Sequence, residues 1–444
     1  MRWETVKMNS NKIKNVKARQ VLDSDGRPAI EVDVITQNGA IGRSSAATGN
    51  SVGINESAVI RDGNPKLYGG KSVYKAIENV NKIIAPAIIG MDVTDQQAID
   101  DRMIELDGTR YKTKLGGNTI NAVSFAVARA GAASLRLPFY RYLAGGTEIK
   151  HMFTPIYNLI NGGQYYGIVQ AFQEFILIPR NINSYEEAVR VGVEMFYTIG
   201  DIISEEKKQP AVKGEYCGYG APSDDPFEVF EIFEEAASRL GYKDKVCYGI
   251  DCASSEFYNT KSNTYRYRNR DIDCDELISI LKKLTQRFPI GFIEDALQQE
   301  DFEGHQKAHE CIPAALIGDD FICTNIERAR KAYEMHAIDG IIVKPNQVGT
   351  LTETMNTVRF LQEKEQILIA SGRSGGPLDD PTTDLVVAIG GHMLKTGAPR
   401  SGERVVSIND GIHISEELGD NGRPFNVMTL PGFSRLNNIE EELK

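Results

Sequence analysis

The sequence predicts an α/β protein, a (β/α)8 barrel carried behind an N-terminal α+β capping domain. Three observations predict it. Short apolar runs recur at near-constant spacing through the second half of the chain, each run closes on a polar or charged residue, and the first 140 residues instead place strand-like segments ahead of helix-like ones. The change in rhythm sets the domains at 1–140 for the cap and 141–444 for the barrel.

In the cap, Ile13 to Val21 and Ala29 to Thr36 alternate with the period of a strand, and Asp25-Gly26-Arg27-Pro28 between them has turn chemistry. Two antiparallel strands are expected. Apolar residues then recur at helical spacing over Val73 to Ile89 and over Asn118 to Leu135, with many small side chains. The stretch from Ser45 to Gly53, rich in Ser, Thr and Gly, reads as a polar loop of the kind that folds over a ligand.

In the barrel, Asp273 to Phe288 is a model amphipathic helix: Asp273 and Glu276 have capping-box spacing, and Leu277, Ile280, Leu281 and Leu284 form one stripe. The following run, Ile290 to Ile293, ends in Glu294. The pattern repeats: Tyr248-Gly-Ile250 leads to Asp251, Leu316-Ile-Gly318 to Asp319, Ile341-Ile-Val343 to Lys344, Ile367 to Ala370 leads to Ser371, and Met393-Leu394 to Lys395. From Glu294 through Asp319, Lys344 and Ser371 to Lys395 the intervals are 25, 25, 27 and 24 residues, the length of one strand-helix unit. Parallel strands in a closed sheet follow, with their C-terminal ends converging on one mouth.

Composition narrows the function classes. A net charge of −11 and no basic cluster argue against nucleic acid as a partner, because phosphate backbones demand gathered Lys and Arg. The six cysteines form no CxxC pair and sit in mostly apolar contexts, as reduced buried thiols do. No run approaches the roughly 18 apolar residues of a membrane span, so a cytoplasmic protein is expected.

Asp251, Glu294 and Asp319 close successive strands and would bring three hard oxygen donors into one mouth. A strand-end acid on its own is more often a helix cap, but three at barrel spacing point to a divalent cation. Magnesium fits carboxylates better than zinc, which favours His and Cys. Lys344 and Lys395 close later strands, and an ammonium partly desolvated near other cations loses its proton easily enough to act as a base. Arg373 and Ser374, beside glycines, suit an anionic oxygen cluster.

These residues lie within segments that resemble the enolases over nearly the whole chain. The likeness is carried by Val21-Leu-Asp-Ser-Asp-Gly-Arg-Pro28, Leu106-Asp-Gly-Thr109, Lys114-Leu-Gly-Gly-Asn118, Asn161-Gly-Gly163, Gln173-Glu174, Asp251-Cys-Ala-Ser-Ser-Glu-Phe257, Ile293-Glu-Asp295, Gly318-Asp-Asp320, Val343-Lys-Pro-Asn-Gln347 and Lys395-Thr-Gly-Ala-Pro399. The resemblance implies an enolase-type barrel in which Asp251, Glu294 and Asp319 bind a first Mg2+ and Ser51 joins a second, substrate-dependent one. It further implies that Lys344 abstracts the proton α to the substrate carboxylate, and that Glu174 assists departure of the hydroxyl. Gln173 and Lys395 are then expected beside the substrate, with Arg373 and Ser374 on its phosphate. Family members are usually dimers, so a homodimer or dimer-based oligomer is expected.

Departures from the family pattern are equally specific. Tyr165 stands where enolases carry a lid histidine, and Gly372 replaces a second active-site histidine. The segment that holds the family's other catalytic glutamate reads Gly214-Glu215-Tyr216-Cys217-Gly218, so either Cys217 or Glu215 takes its place. Three readings follow: a lyase eliminating water from a 2-phosphoglycerate-like phospho- or phosphono-hydroxyacid, an enzyme similar to the carboxyphosphonoenolpyruvate synthases, or an impaired enolase-like scaffold.

Overall fold

The computed structural model of the 444-residue chain describes residues 10–47, 49, 53–163, 170–208, 211–212, 214, 217–373 and 375–436. The chain divides into two compact units, one formed by 1–148, 344–356 and 373–389, the other by 149–343, 357–372 and 390–444.

The first unit is built on an antiparallel sheet of β1 (Ile13–Leu22), β2 (Pro28–Thr36) and β3 (Ile41–Ala46), in that order. The β1–β2 turn closes as its sequence suggests, with Asp23 Oδ1 accepting from the amides of Asp25 at 3.0 Å and Arg27 at 2.8 Å. Strand β3 corrects the reading of Ser45 to Gly53 as loop throughout: Ser45 and Ala46 pair with Glu31 and Ile30. Its short apolar content hides the strand, because the pairing is supplied by β2. The helix Gly117–Leu135 starts from Gly116 at φ 98° and lies directly on the sheet. Its small residues let the backbones approach so closely that a Cβ on Gly42 would sit 2.0 Å from the Ala126 carbonyl oxygen. The helix expected over Val73 to Ile89 forms as Tyr74–Asn79, a π turn Val80–Ile84, and Ala85–Ile88. Pro86 lacks an amide to donate, and the wider turn before it absorbs that loss.

The second unit contains the barrel strands β4 (Thr154–Asn161), β5 (Glu174–Pro179), β7 (Val246–Asp251), β11 (Ile290–Glu294), β12 (Ala315–Gly318), β13 (Gly340–Val343), β14 (Ile367–Ser371) and β15 (Met393–Lys395). Pairing of β15 with β4 closes the ring. A two-residue strand, β6 (Tyr219–Gly220), adds to the upper end of β4, and β8 (Tyr258–Asn259), β9 (Thr264–Tyr267) and β10 (Arg270–Ile272) make a small outer sheet. From β7 to β15 the strands run parallel, as their spacing predicts. Strand β5 departs from that rule and is antiparallel to both neighbours. The reason lies in the connection: only residues 162–173 join β4 to β5, and a return that short suits an antiparallel neighbour.

Side chains sort by strand alternation. Ile156, Ile176, Phe292, Ile317, Ile342 and Met393 fill the barrel interior, which Met428, Leu430 and Phe433 share. Phe433 lies so close to β11 that a Cβ on Gly291 would meet its ring at 2.3 Å. Tyr157, Leu159, Phe175, Ile250 and Ile293 point outward into a second core with the surrounding helices. The helix Cys274–Arg287 begins at Asp273, whose side chain accepts from the Glu276 amide, and buries Leu277, Leu281 and Leu284 as its stripe requires. Among the described residues, no helix is long and apolar enough to cross a membrane.

Candidate active site

Alternation that puts Ile176, Phe292 and Met393 inside the barrel puts Glu174, Glu294 and Lys395 inside as well, one layer nearer the strand ends. Asp251 closes β7 opposite Glu174 and Glu294, and Asp319 follows β12 directly. All of these side chains are buried. At the centre stands the Lys395 ammonium, 2.8 Å from Glu174 Oε2, 2.8 Å from Glu294 Oε2 and 3.4 Å from Asp251 Oδ2. Gln173 Nε2 donates to Asp251 Oδ2 at 3.4 Å, and the Ala253 amide donates to Asp251 Oδ1 at 3.0 Å, fixing that carboxylate from two sides.

The charges explain the protonation states. Burial works against the Lys395 ammonium, but Glu174, Glu294, Asp251 and Asp319 outweigh it and hold its pKa well above the usual lysine value. Lys395 is therefore a fixed cation. Burial raises the Glu294 carboxyl, and repulsion from Asp251 raises it further against the pull of Lys395. Asp295 is pushed up to about 7 by burial and by Asp319 and Asp251.

Asp295 supplies a role that the sequence reading did not assign. Its side chain accepts from the amides of Asp319 at 2.9 Å, Asp320 at 2.8 Å and Phe321 at 3.3 Å, and so sets the turn that presents Asp319. Carboxylate oxygens of Asp295, Asp319 and Asp320 lie within 4.8 Å of one another, close enough to share an ion. The three amides already engage Asp295, however, so it acts as a support for Asp319. The only hint in the sequence was the second acid in Glu294-Asp295.

Around Lys395, the carboxylates Glu174, Asp251, Glu294, Asp295 and Asp319 leave a surplus of buried negative charge, visible in the raised Glu294 and Asp295. The Lys395 ammonium already occupies the position of one counter-ion. Hard oxygen donors of this kind suit a divalent cation.

The other expected residues lie on further segments of the chain. Lys344 directly follows Val343 at the end of β13, is extended at φ −130° and ψ 100°, and precedes the short helix Pro345–Val348; it is grouped with the first unit. Arg373 also belongs to the first unit, where its Nη1 donates to Glu56 Oε2 at 2.9 Å with both side chains buried. Gly49 at φ +66° packs on that guanidinium, and a Cβ there would lie 2.4 Å from Nη2. Glu56 carried no signal in the sequence. Gly372 is half-buried beyond β14, its carbonyl accepting from Ser371 Oγ at 2.9 Å. Cys217, half-buried at φ 67°, donates its amide to the Gly214 carbonyl at 3.1 Å. Ser51, Tyr165, Glu215 and Ser374 lie outside the described residues.

A cavity of about 830 Å3 also lies in the second unit, lined among others by Gly163, Gln170, Glu256, Phe257, Arg266 and Arg268. Its walls are the β4–β5 connection and the outer sheet rather than the carboxylates. Their chemistry makes Lys395 and its acids the candidate active site.

A closed barrel with acids and a lysine at its strand ends, joined to an α+β unit, defines an α/β-barrel enzyme. The profile of "Enolase, C-terminal TIM barrel domain" matches residues 150–427, and that of "Enolase, N-terminal domain" matches 13–143. The chain is 42% identical over 412 residues to an enolase of Methanopyrus kandleri, covering 92% of this chain and 96% of the relative. It is 40% identical over 413 residues to that of Methanococcus aeolicus (93% and 96%), and 40% over 408 to that of Methanocaldococcus jannaschii (92% and 96%). The chain belongs to the enolase family and is a hydro-lyase.

Proposed function

We propose that this phosphopyruvate hydratase-type enzyme is magnesium-dependent and dehydrates 2-phosphoglycerate or a closely related phospho- or phosphono-hydroxyacid. The observation that carries the reading is the buried set of acids around the Lys395 ammonium at the strand ends. Asp251, Glu294 and Asp319 hold the ion. Bound there, Mg2+ supplies positive charge to the substrate carboxylate, which acidifies the neighbouring C–H bond.

Because its neighbours keep Lys395 protonated, it serves as a cation toward the substrate carboxylate and leaves proton abstraction to Lys344. Lys344 takes the C2 proton, and Glu174, which must first take up a proton, gives it to the C3 hydroxyl as the C3–O bond breaks and water leaves. Gln173 holds Asp251 in place while facing the same chamber. The family likeness assigns Arg373 and Ser374 to the phosphate, and Ser51 to a second Mg2+ that would bind with substrate. By the family likeness, Tyr165 and Gly372 stand at positions where the family has histidines near the phosphate end. Cys217 or Glu215 stands in for the second glutamate. A cytoplasmic homodimer or dimer-based oligomer is the expected form.

The test is Mg2+-dependent formation of phosphoenolpyruvate from 2-phosphoglycerate, together with exchange of the C2 proton in D2O. Both are expected for the wild type, and both vanish in Lys344→Ala. Exchange without dehydration would mean a working base and a missing acid. Turnover of carboxylated phosphonate analogues alone would move the enzyme to the carboxyphosphonoenolpyruvate synthase class, and neither exchange nor turnover on any of them would overturn the catalytic reading.

A further inference from the structure

Two asparagines on β4 stand inside the barrel beside this cluster with their polar atoms unmet. Asn158 and Asn161 are 4% and 1% exposed, and among the described residues none satisfies Nδ2 or Oδ1 of either side chain. In a regular strand, residues three apart face opposite sides. Here the β4–β5 register slips: Asn158 pairs with Ile176, but Ile160 pairs with Phe175 and Asn161 with Glu174, leaving Leu159 as an extra residue. Tyr157, Leu159 and Ile160 point into the outer core, while Ile156 and Ile176 point into the barrel. The bulge therefore turns both asparagines inward. Asn161 lies in register opposite Glu174, and Asn158 sits one inward position above Ile156, which pairs with Lys395.

Buried amides without partners are rare and are retained where something else completes them. A carboxamide offers a donor and an acceptor together, which suits a neutral hydroxyl or a water molecule; anions need donors alone. Resting on the proposed reaction, we infer that Asn158 and Asn161 form a hydroxyl subsite beside Glu174 that orients the leaving hydroxyl of the substrate and receives the water it becomes.

Two ligands separate this role from a structural one: 2-phosphoglycerate, and phospholactate, which keeps the carboxylate and phosphate but lacks the 3-hydroxyl. Affinities for both are measured by calorimetry with Mg2+, alongside unfolding temperatures without ligand, for the chain with wild-type asparagines, for Asn158→Leu and for Asn161→Leu, all three carrying Lys344→Ala so that bound ligand is not turned over. The chain with wild-type asparagines is expected to favour 2-phosphoglycerate. Leucine removes an unsatisfied amide at similar volume, so ligand-free unfolding temperatures should hold or rise. Affinity for 2-phosphoglycerate should fall about 10–100-fold, the worth of one or two hydrogen bonds, while that for phospholactate stays within about twofold. Equal losses for both ligands, or unchanged affinities with a lowered unfolding temperature, would overturn the subsite. A chain with wild-type asparagines that binds neither ligand would instead overturn the substrate assignment, and the subsite with it.

Discussion

Replacing Lys395 by methionine keeps an unbranched side chain of similar length and deletes the charge at the centre of the acid cluster. At 2.8 Å, each of the contacts to Glu174 and Glu294 carries a gross attraction of about 6 kcal/mol at an effective dielectric of about 20. Desolvation of the partners offsets much of that attraction. What remains on truncation is the cost of leaving buried carboxylates without a counter-ion, about 3–5 kcal/mol. In a chelator such as EDTA at neutral pH, the variant should unfold roughly 3–5 °C below the wild type, as a chain of 444 residues has a large unfolding entropy. Added Mg2+ should restore more stability to the variant than to the wild type, because the ion meets an unopposed cluster of acids. At one hundred times its dissociation constant, that gain is about 2.7 kcal/mol. Thermal or urea unfolding with and without Mg2+ reads both effects. If the metal-free variant matched the wild type within about 0.5 kcal/mol, or if Mg2+ stabilised both equally, Lys395 would not be the counter-ion inferred from these distances.

Asp295→Asn weakens the acceptor that positions the Asp319 turn, and Mg2+ affinity measured by calorimetry should fall about 10–100-fold with the fold retained; unchanged affinity would remove Asp295 from the support of the site. Acid lability has a separate source in His305, which is 2% exposed, stacked on Phe321 at 3.9 Å and held by burial at a pKa of about 4. The unfolded chain takes up that proton near pH 6.5 and the folded chain does not, so stability should decline as pH falls from about 6.5 to 4, by about 3 kcal/mol for this group. His392, also lowered to about 4 by burial and by His151, adds in the same direction. His305→Phe should keep the ring contact and flatten the pH dependence of the urea midpoint, whereas an unchanged slope would exclude His305 as a source. Gly49→Ala places a methyl group against the Arg373 guanidinium and demands a positive φ of an alanine. It should cost about 1 kcal/mol of stability and raise KM for the phosphorylated substrate several-fold; an unaltered KM would separate Arg373 from phosphate binding.

The sequence alone reached far because barrel architecture writes itself locally. Each strand is a short apolar run followed by a residue at the mouth, and the near-constant interval puts Glu294, Asp319, Lys344, Ser371 and Lys395 at successive strand ends, with Asp251 closing an earlier run. The same local logic set the β1–β2 hairpin and the helix beginning at Asp273. Features decided by pairing between distant segments stayed hidden. The reversed direction of β5 depends on how the chain returns from β4, and β3 is a strand because β2 pairs with it. A one-residue slip against β5 turns Asn158 and Asn161 to the same face, which no periodicity in β4 discloses. Most telling is Lys395: its position in the chain marks a strand end, but only closure of the barrel, joining β15 to β4 and bringing β5, β7 and β11 around the same interior, sets its ammonium among Glu174, Asp251 and Glu294. Periodicity reports which way a backbone segment faces, whereas the partners of a long buried side chain are set by the three-dimensional packing of elements far apart in sequence.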